Sequence, residues 1–148
     1  MSPEHEKTTL IRWPQRRHTL AVYLYELANP DFQRERWIEG KGGTPGIMYG
    51  FWLIINFFFD DTELAENPAG TVGYILLDEL EVAAIRNLDK AMKDVLQEVG
   101  SNDSDQDYVA APSWSKVVLT AQKAYRLIRS RMASAGNESL PPELNSPG

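Results

Sequence analysis

The stretch Phe51-Trp52-Leu53-Ile54-Ile55-Asn56-Phe57-Phe58-Phe59-Asp60-Asp61 decides how this chain folds. It completes an apolar run that begins at Ile47 and stops abruptly at two carboxylates. The run is apolar nearly all round, as a buried helix would be. It is also rich in aromatic and β-branched residues, which suits a central strand. From Ile47 to Phe59 it is longer than an ordinary strand, so the reading favours helix. The rival reading pairs residues 51–59 with a short strand at 71–76 as a hairpin, and makes the domain α+β.

Outward from this segment the signals are helical. A first helix is expected to start near Pro14, where a missing N–H costs nothing. It carries Leu20, Leu24 and Leu27 on one face and stops at Asn29-Pro30, because proline disfavours helical geometry in the residue before it. Asn29 then caps a second, short helix with Pro30 at its first position, bearing Phe32 and Trp37 and ending at Gly40. Lys41 to Gly46 is a loop. A long helix begins at Asp78, where Asp78 and Glu81 form an acidic variant of the capping box. Ile85, Leu88, Met92, Val95, Leu96 and Val99 follow at helical spacing, and Gly100 supplies the stop. The last helix is expected after Pro112 with Ser113 as its cap. Its stripe is Trp114, Val117, Val118, Ala121, Tyr125, Ile128 and Met132. Arg126, Arg129 and Arg131 in its final turns complement the helix dipole. The expected fold is all-α, a compact bundle of four to five helices over residues 11–133. Residues 1–10 and the Pro-, Ser-, Gly- and Asn-rich tail 134–148 are expected to be disordered.

Charge is distributed unevenly along the 148 residues. Residues 47–112 hold thirteen Asp/Glu against three Lys/Arg, while both flanks are slightly basic. The net charge is −6. An acidic chain is a poor general nucleic-acid binder, which needs a basic footprint. There is no cysteine, so disulfides, thiolate zinc sites and cysteine nucleophiles are excluded. The N-terminus lacks the apolar core of a secretory signal, and the apolar run is well short of the roughly 18–20 residues of a membrane span. A cytoplasmic protein without membrane association is expected.

The carboxylates are the main candidates for function. Asp60, Asp61 and Glu63, with Glu66 beyond, form the densest cluster. As an enzyme site they would bind a divalent ion or work as an acid/base pair. As structure they end an apolar segment and open a turn. Asp103, Asp105 and Asp107 imitate the opening of a calcium loop, but that pattern needs Gly at its sixth position and Glu at its twelfth. Those positions are Tyr108 and Trp114, so the three aspartates read as a solvated acidic loop. His5 and His18 are the only histidines and have no partner cluster for a triad or a zinc site. The glycines between Gly40 and Gly46 lack phosphate-loop spacing. Arg12, Arg16, Arg17 and His18, beside Trp13, read as a solvated helix start. Trp37 and Trp114, each near a helix end, are expected as half-exposed interface anchors.

Several short blocks carry a resemblance. They are Ala28 to Gln33 with Trp37, Phe58 to Thr62, Leu76 to Val82, Asp107-Tyr108, and Pro112 to Trp114. Together they resemble a family of small bacterial proteins grouped with immunity proteins of contact-dependent inhibition and other polymorphic toxin systems. The resemblance spans roughly residues 14–132 and brings no catalytic or binding positions with it. It implies a cytosolic, non-catalytic protein that neutralises a toxin domain, with no cofactor and no metal. A nuclease toxin has a basic cleft, and an acidic protein is steered to it with salt-sensitive association. The partner surface expected from the residues is Asp60, Asp61, Glu63, Glu66, Asp103, Asp105 and Asp107, with Trp37 and Trp114. The alternative is a carboxylate- or metal-dependent enzyme or regulator that uses Asp60, Asp61 and Glu63. A homo-oligomer that buries an apolar helix face is a third reading.

Overall fold

The computed structural model describes residues 11–43, 45–100, 103–136 and 140–144. Six helices appear among them: α1 (Pro14–Ala28), α2 (Pro30–Phe32), α3 (Phe51–Ile55), α4 (Glu79–Val99), α5 (Asp105–Ala110) and α6 (Trp114–Ser134). No strand occurs among the described residues, so the hairpin alternative is overturned. At residues 71–76 there is a single isolated bridge, Val72 to Leu76, following a 3-10 turn over Pro68–Thr71.

The scaffold is α1, α4 and α6, with α6 packed along both of the others. Their inward stripes are fully buried: Leu20, Leu24 and Leu27 from α1, Val82, Ile85, Leu88 and Met92 from α4, and Val117, Ala121, Tyr125 and Ile128 from α6. Each large apolar side chain removed from water in this way stabilises the fold by about 1.5–3 kcal/mol.

Pro14 opens α1 as expected, and Asn29 Oδ1 accepts from Phe32 N (3.1 Å) to cap the next helix. That helix widens at once into a π-helical turn over Gln33–Ile38, closed by Glu39 N donating to Arg34 O at 2.9 Å. The same widening follows α3, where Asn56–Asp61 is π-helical and Thr62 N donates to Phe57 O at 3.1 Å. A π turn bonds residue i to i+5 instead of i+4, so it inserts one extra residue per turn. In the second segment this lets Phe57 and Phe58 both reach the core before the chain turns out to Asp60. The deciding stretch is therefore helical, as its length implies, but only its first half is α.

Two buried polar networks tie the helices. Gln33 Nε2 donates to the Glu26 and Leu27 carbonyls (2.8 and 2.9 Å), satisfying the end of α1, and Gln33 Oε1 accepts from Trp114 Nε1 (3.0 Å). In the second network, Asp78 Oδ1 caps α4 by accepting from Glu81 N at 3.2 Å. The Glu81 side chain does not complete the expected box. It turns inward, fully buried, to meet Arg17 at 2.7 and 3.0 Å, Arg131 at 3.0 Å and the Leu77 N–H at 2.9 Å. Arg17 is thus a core residue instead of part of a solvated helix start. Arg131 serves α4 more than its own helix dipole, because its guanidinium also reaches Asp78 at 2.8 Å.

Two termini differ from expectation. Ser113 makes no side-chain cap to α6; its N–H and hydroxyl both donate to Glu98. The last helix runs to Ser134, and residues 140–144 of the expected disordered tail lie against it, with Leu140 and Leu144 on the core. Residues 1–10 lie outside the described residues.

Candidate functional site

The carboxylates that end the apolar run line a cleft of about 510 Å³. Local hydrogen bonding holds their turn. Thr62 Oγ1 donates to Phe57 O (2.7 Å) and accepts from Leu64 N (3.2 Å), while Ala65 N donates back to Phe58 O (3.0 Å). Asp60, Asp61 and Glu63 are left exposed on the outside of that turn. With its amide oriented to satisfy both neighbours, Asn56 accepts from Trp52 Nε1 (3.1 Å) and donates to Asp60 Oδ2 (3.0 Å). Trp52 is 53% exposed beside it.

The opposite wall is aromatic and basic. Arg12 N and Trp13 N donate to the carbonyls of Gly73 and Tyr74 at 3.0 and 2.9 Å, pinning the approach to α1 against the loop before α4. This brings the Trp13 and Tyr74 rings to 4.8 Å between centroids. The Arg16 guanidinium lies over Trp13 at 5.5 Å and donates to the Asp61 carbonyl at 2.8 Å, at the C-terminal end of the π turn where a cation is favoured. Arg12 covers Tyr74 at 5.3 Å. Trp13 remains 47% exposed. The cleft thus presents an exposed indole, a half-buried phenol and one arginine opposite three exposed carboxylates, one of them held by Asn56.

Of the other expected positions, Asp105, Asp107, Trp37 and Trp114 have structural duties. Glu66 is exposed near the turn but does not wall the cleft. Asp105 belongs to the far end of α3: its Oδ1 accepts from Phe51 N at 3.0 Å, capping α3 from across the fold. Burial raises the Asp105 pKa and the Phe51 N–H lowers it. Asp107 forms a capping box with Ser104, and Asp103 is exposed. The two acidic clusters therefore stand at opposite ends of one apolar element, and only the first borders a cleft. Trp37 and Trp114 are not half-exposed anchors. They are 8% and 4% exposed, sit 6.0 Å apart edge to face, and bond Glu26 and Gln33. Their places near helix ends fall where the two π-distorted and capping segments close over the core.

Trp13 and Tyr74 take the place of these tryptophans in the site. Trp13 stands outside the Leu20–Leu24–Leu27 stripe and just before Pro14, which is the one sequence signal for its exposure. Tyr74 has none, since only backbone pairing across the fold brings it to Trp13.

The arrangement is suited to binding. Among the described residues, no three His, Cys, Asp or Glu side chains are grouped as a metal-holding set. No described helix is long and apolar enough to cross a membrane.

Residues 11–136 match the model of a protein family described as "Domain of unknown function (DUF7945)". The chain belongs to the DUF7945 family. The DUF7945 span includes both walls of the cleft and the Glu81 network, and it ends at Gly136, before the packed segment 140–144. No curated protein and no solved structure matches the chain.

Proposed function

We propose that this protein is a non-catalytic, cytosolic binding protein that covers a basic surface on a protein partner, and that it serves as an immunity protein neutralising a toxin domain. The observation that carries the reading is the cleft in which exposed Trp13 and half-buried Tyr74 face Asp60, Asp61 and Glu63. Tryptophan, tyrosine and arginine are the residues that most often dominate binding energy at protein interfaces. Carboxylates at the rim speed encounter with a basic partner and set its orientation. The neutralised activity is proposed to be that of a nuclease, whose substrate cleft is basic by necessity.

The test is co-expression in a heterologous host with the toxin domain encoded beside this gene. The wild-type chain is expected to restore growth, and the triple variant Asp60→Lys/Asp61→Lys/Glu63→Lys to lose that protection while melting normally. Protection that survives both the triple reversal and Trp13→Ala would refute this surface. Absence of any toxin gene beside it would remove the immunity role and leave the binding role to be judged by the partner itself.

A further inference from the structure

Residues 140–144, Leu-Pro-Pro-Glu-Leu, lie back along α6. The Tyr125 hydroxyl donates to the Pro142 carbonyl. One turn further on, Arg129 Nε donates to the Pro141 carbonyl at 2.9 Å and Arg129 NH1 reaches Glu143 Oε1 at 3.3 Å. Leu140 and Leu144 flank these contacts on the core. Tyr125 and Arg129 are four residues apart, so they share one face of the helix. Beside them an open groove of about 320 Å³ continues past Arg126 and Ala133.

These contacts have the chemistry of peptide recognition. Proline has no N–H, so a Pro-Pro backbone offers acceptors only, and it is already extended with little conformational freedom left to lose. The α6 face answers with donors, a phenol O–H and a guanidinium, and adds a charge contact and an apolar contact at each end. Side-chain donors that read consecutive main-chain carbonyls, with apolar positions on either side, are how grooves hold proline-rich segments.

Gly136 makes the return. Helix α6 ends at Ser134, about 2.5 turns beyond Tyr125, so the chain must reverse to reach it. Gly136 has φ +85°, in the left-handed region, and a Cβ there would meet nothing within 4 Å. A larger residue at 136 would therefore disturb the reversal without touching the groove.

We propose that the Tyr125–Arg129 face of α6 is a binding site for an extended, proline-centred acidic peptide, closed in the isolated chain by its own residues 140–144 hinged at Gly136. The site shares no residue with the acidic cleft. A short linker presents a tethered segment at an effective concentration on the order of millimolar. A segment that fills the groove in cis must therefore bind it in trans at millimolar peptide or below.

The test uses the full chain and a fluorescent peptide spanning residues 138–148, followed by anisotropy. In the Gly136→Val chain the left-handed penalty weakens the closed state, and peptide is expected to bind about tenfold more tightly than in wild type. The full chain carrying Leu140→Ser/Leu144→Ser should behave the same way by an independent route. Arg129→Ala, added to either, should abolish binding while leaving a cooperative melt. No saturable binding to the Gly136→Val chain at several millimolar peptide would overturn the site. Binding indifferent to Arg129→Ala would do so too. A dimer formed by the Gly136→Val chain in light scattering would also overturn it, by assigning the segment to a second copy.

Discussion

At the residue scale, the buried carboxyls are the most consequential feature. Asp89 is 4% exposed, and neither of its oxygens has a hydrogen-bond partner. Burial raises its pKa to about 7, against the opposing pull of Lys93 and Arg86. Burial likewise raises Glu26 to about 7, with the Trp37 N–H lowering it. Both pKa values lie above those of the unfolded chain, so the folded state holds two extra protons between about pH 4 and pH 7. Stability from these groups is complete below pH 4, falls as pH rises through that window, and is fully lost above pH 7. Asp89→Asn is expected to match wild type near pH 4 and to exceed it at pH 8 by about 2 kcal/mol or more in urea unfolding. Equal stability of the two chains at both pH values would show that Asp89 finds a partner when charged. Asp78 runs the other way: its hydrogen bond from Arg131 lowers its pKa, so its contribution is present at neutral pH and lost in acid.

At the element scale, the helix ends decide the geometry. Asp105 caps α3 from another helix, and Gly50, at φ +149°, lets it approach; a Cβ on Gly50 would lie 2.8 Å from Asp105 Oδ2. Asp105→Ala is expected to cost about 1 kcal/mol of stability, in the range of a lost helix cap. Gly50→Ala should cost at least as much, and thermal melts of the two chains would check both. The Glu81 network behaves differently, because it joins α1, α4 and α6 through a buried charge held by two arginines. Removing Glu81 leaves the buried Arg17 guanidinium with only the Ile75 carbonyl, whereas the half-buried Arg131 keeps Asp78. Glu81→Ala is therefore expected to lose about 3–5 kcal/mol, more than any surface pair in the protein. A loss below 1 kcal/mol would mean that water replaces the carboxylate. None of these long-range roles is legible in spacing alone. The pattern Asp78-x-x-Glu81 reads as a local box, and its second member is drawn away by arginines 64 and 50 residues distant.

At the scale of the whole molecule, the negative charge of residues 47–112 divides by duty. Asp78, Glu81, Asp105 and Asp107 cap helices or neutralise arginines. Among the described residues, Asp60, Asp61 and Glu63 cap no helix and neutralise no arginine side chain, and they are exposed to act outward. If they set encounter with a basic partner, the association rate should fall about tenfold or more between low and high salt, with dissociation little changed. The triple reversal Asp60→Lys/Asp61→Lys/Glu63→Lys should remove most of that salt dependence. Stopped-flow measurement with the cognate partner would decide it, and an unchanged salt slope in the reversed chain would exclude steering by this cluster.

The sequence by itself determined the three long helices, but not α5, which it read as a solvated acidic loop and which begins at Asp105 behind a Ser104 cap. The Pro14 start, the Asn29 cap, the stripes from Ile85 to Val95 and Val117 to Ile128, and the Gly100 stop are all local, and local propensity and periodicity are printed in the chain. It also marked two acidic clusters, residues 60–66 and 103–107, as charges without a local role; Asp107, which completes the capping box of α5, corrects the second. The tertiary structure alone decided which side chains share a surface. It buried Trp37, Trp114 and Arg17, assigned Asp105 to α3, and joined Trp13 to Tyr74 across 61 positions through backbone hydrogen bonds. The physical reason is that periodicity fixes which face of a helix is apolar, whereas exposure at helix ends and loops depends on what other segments fold over them. Each π turn closes its helix with an i to i+5 bond that no local sequence pattern announces.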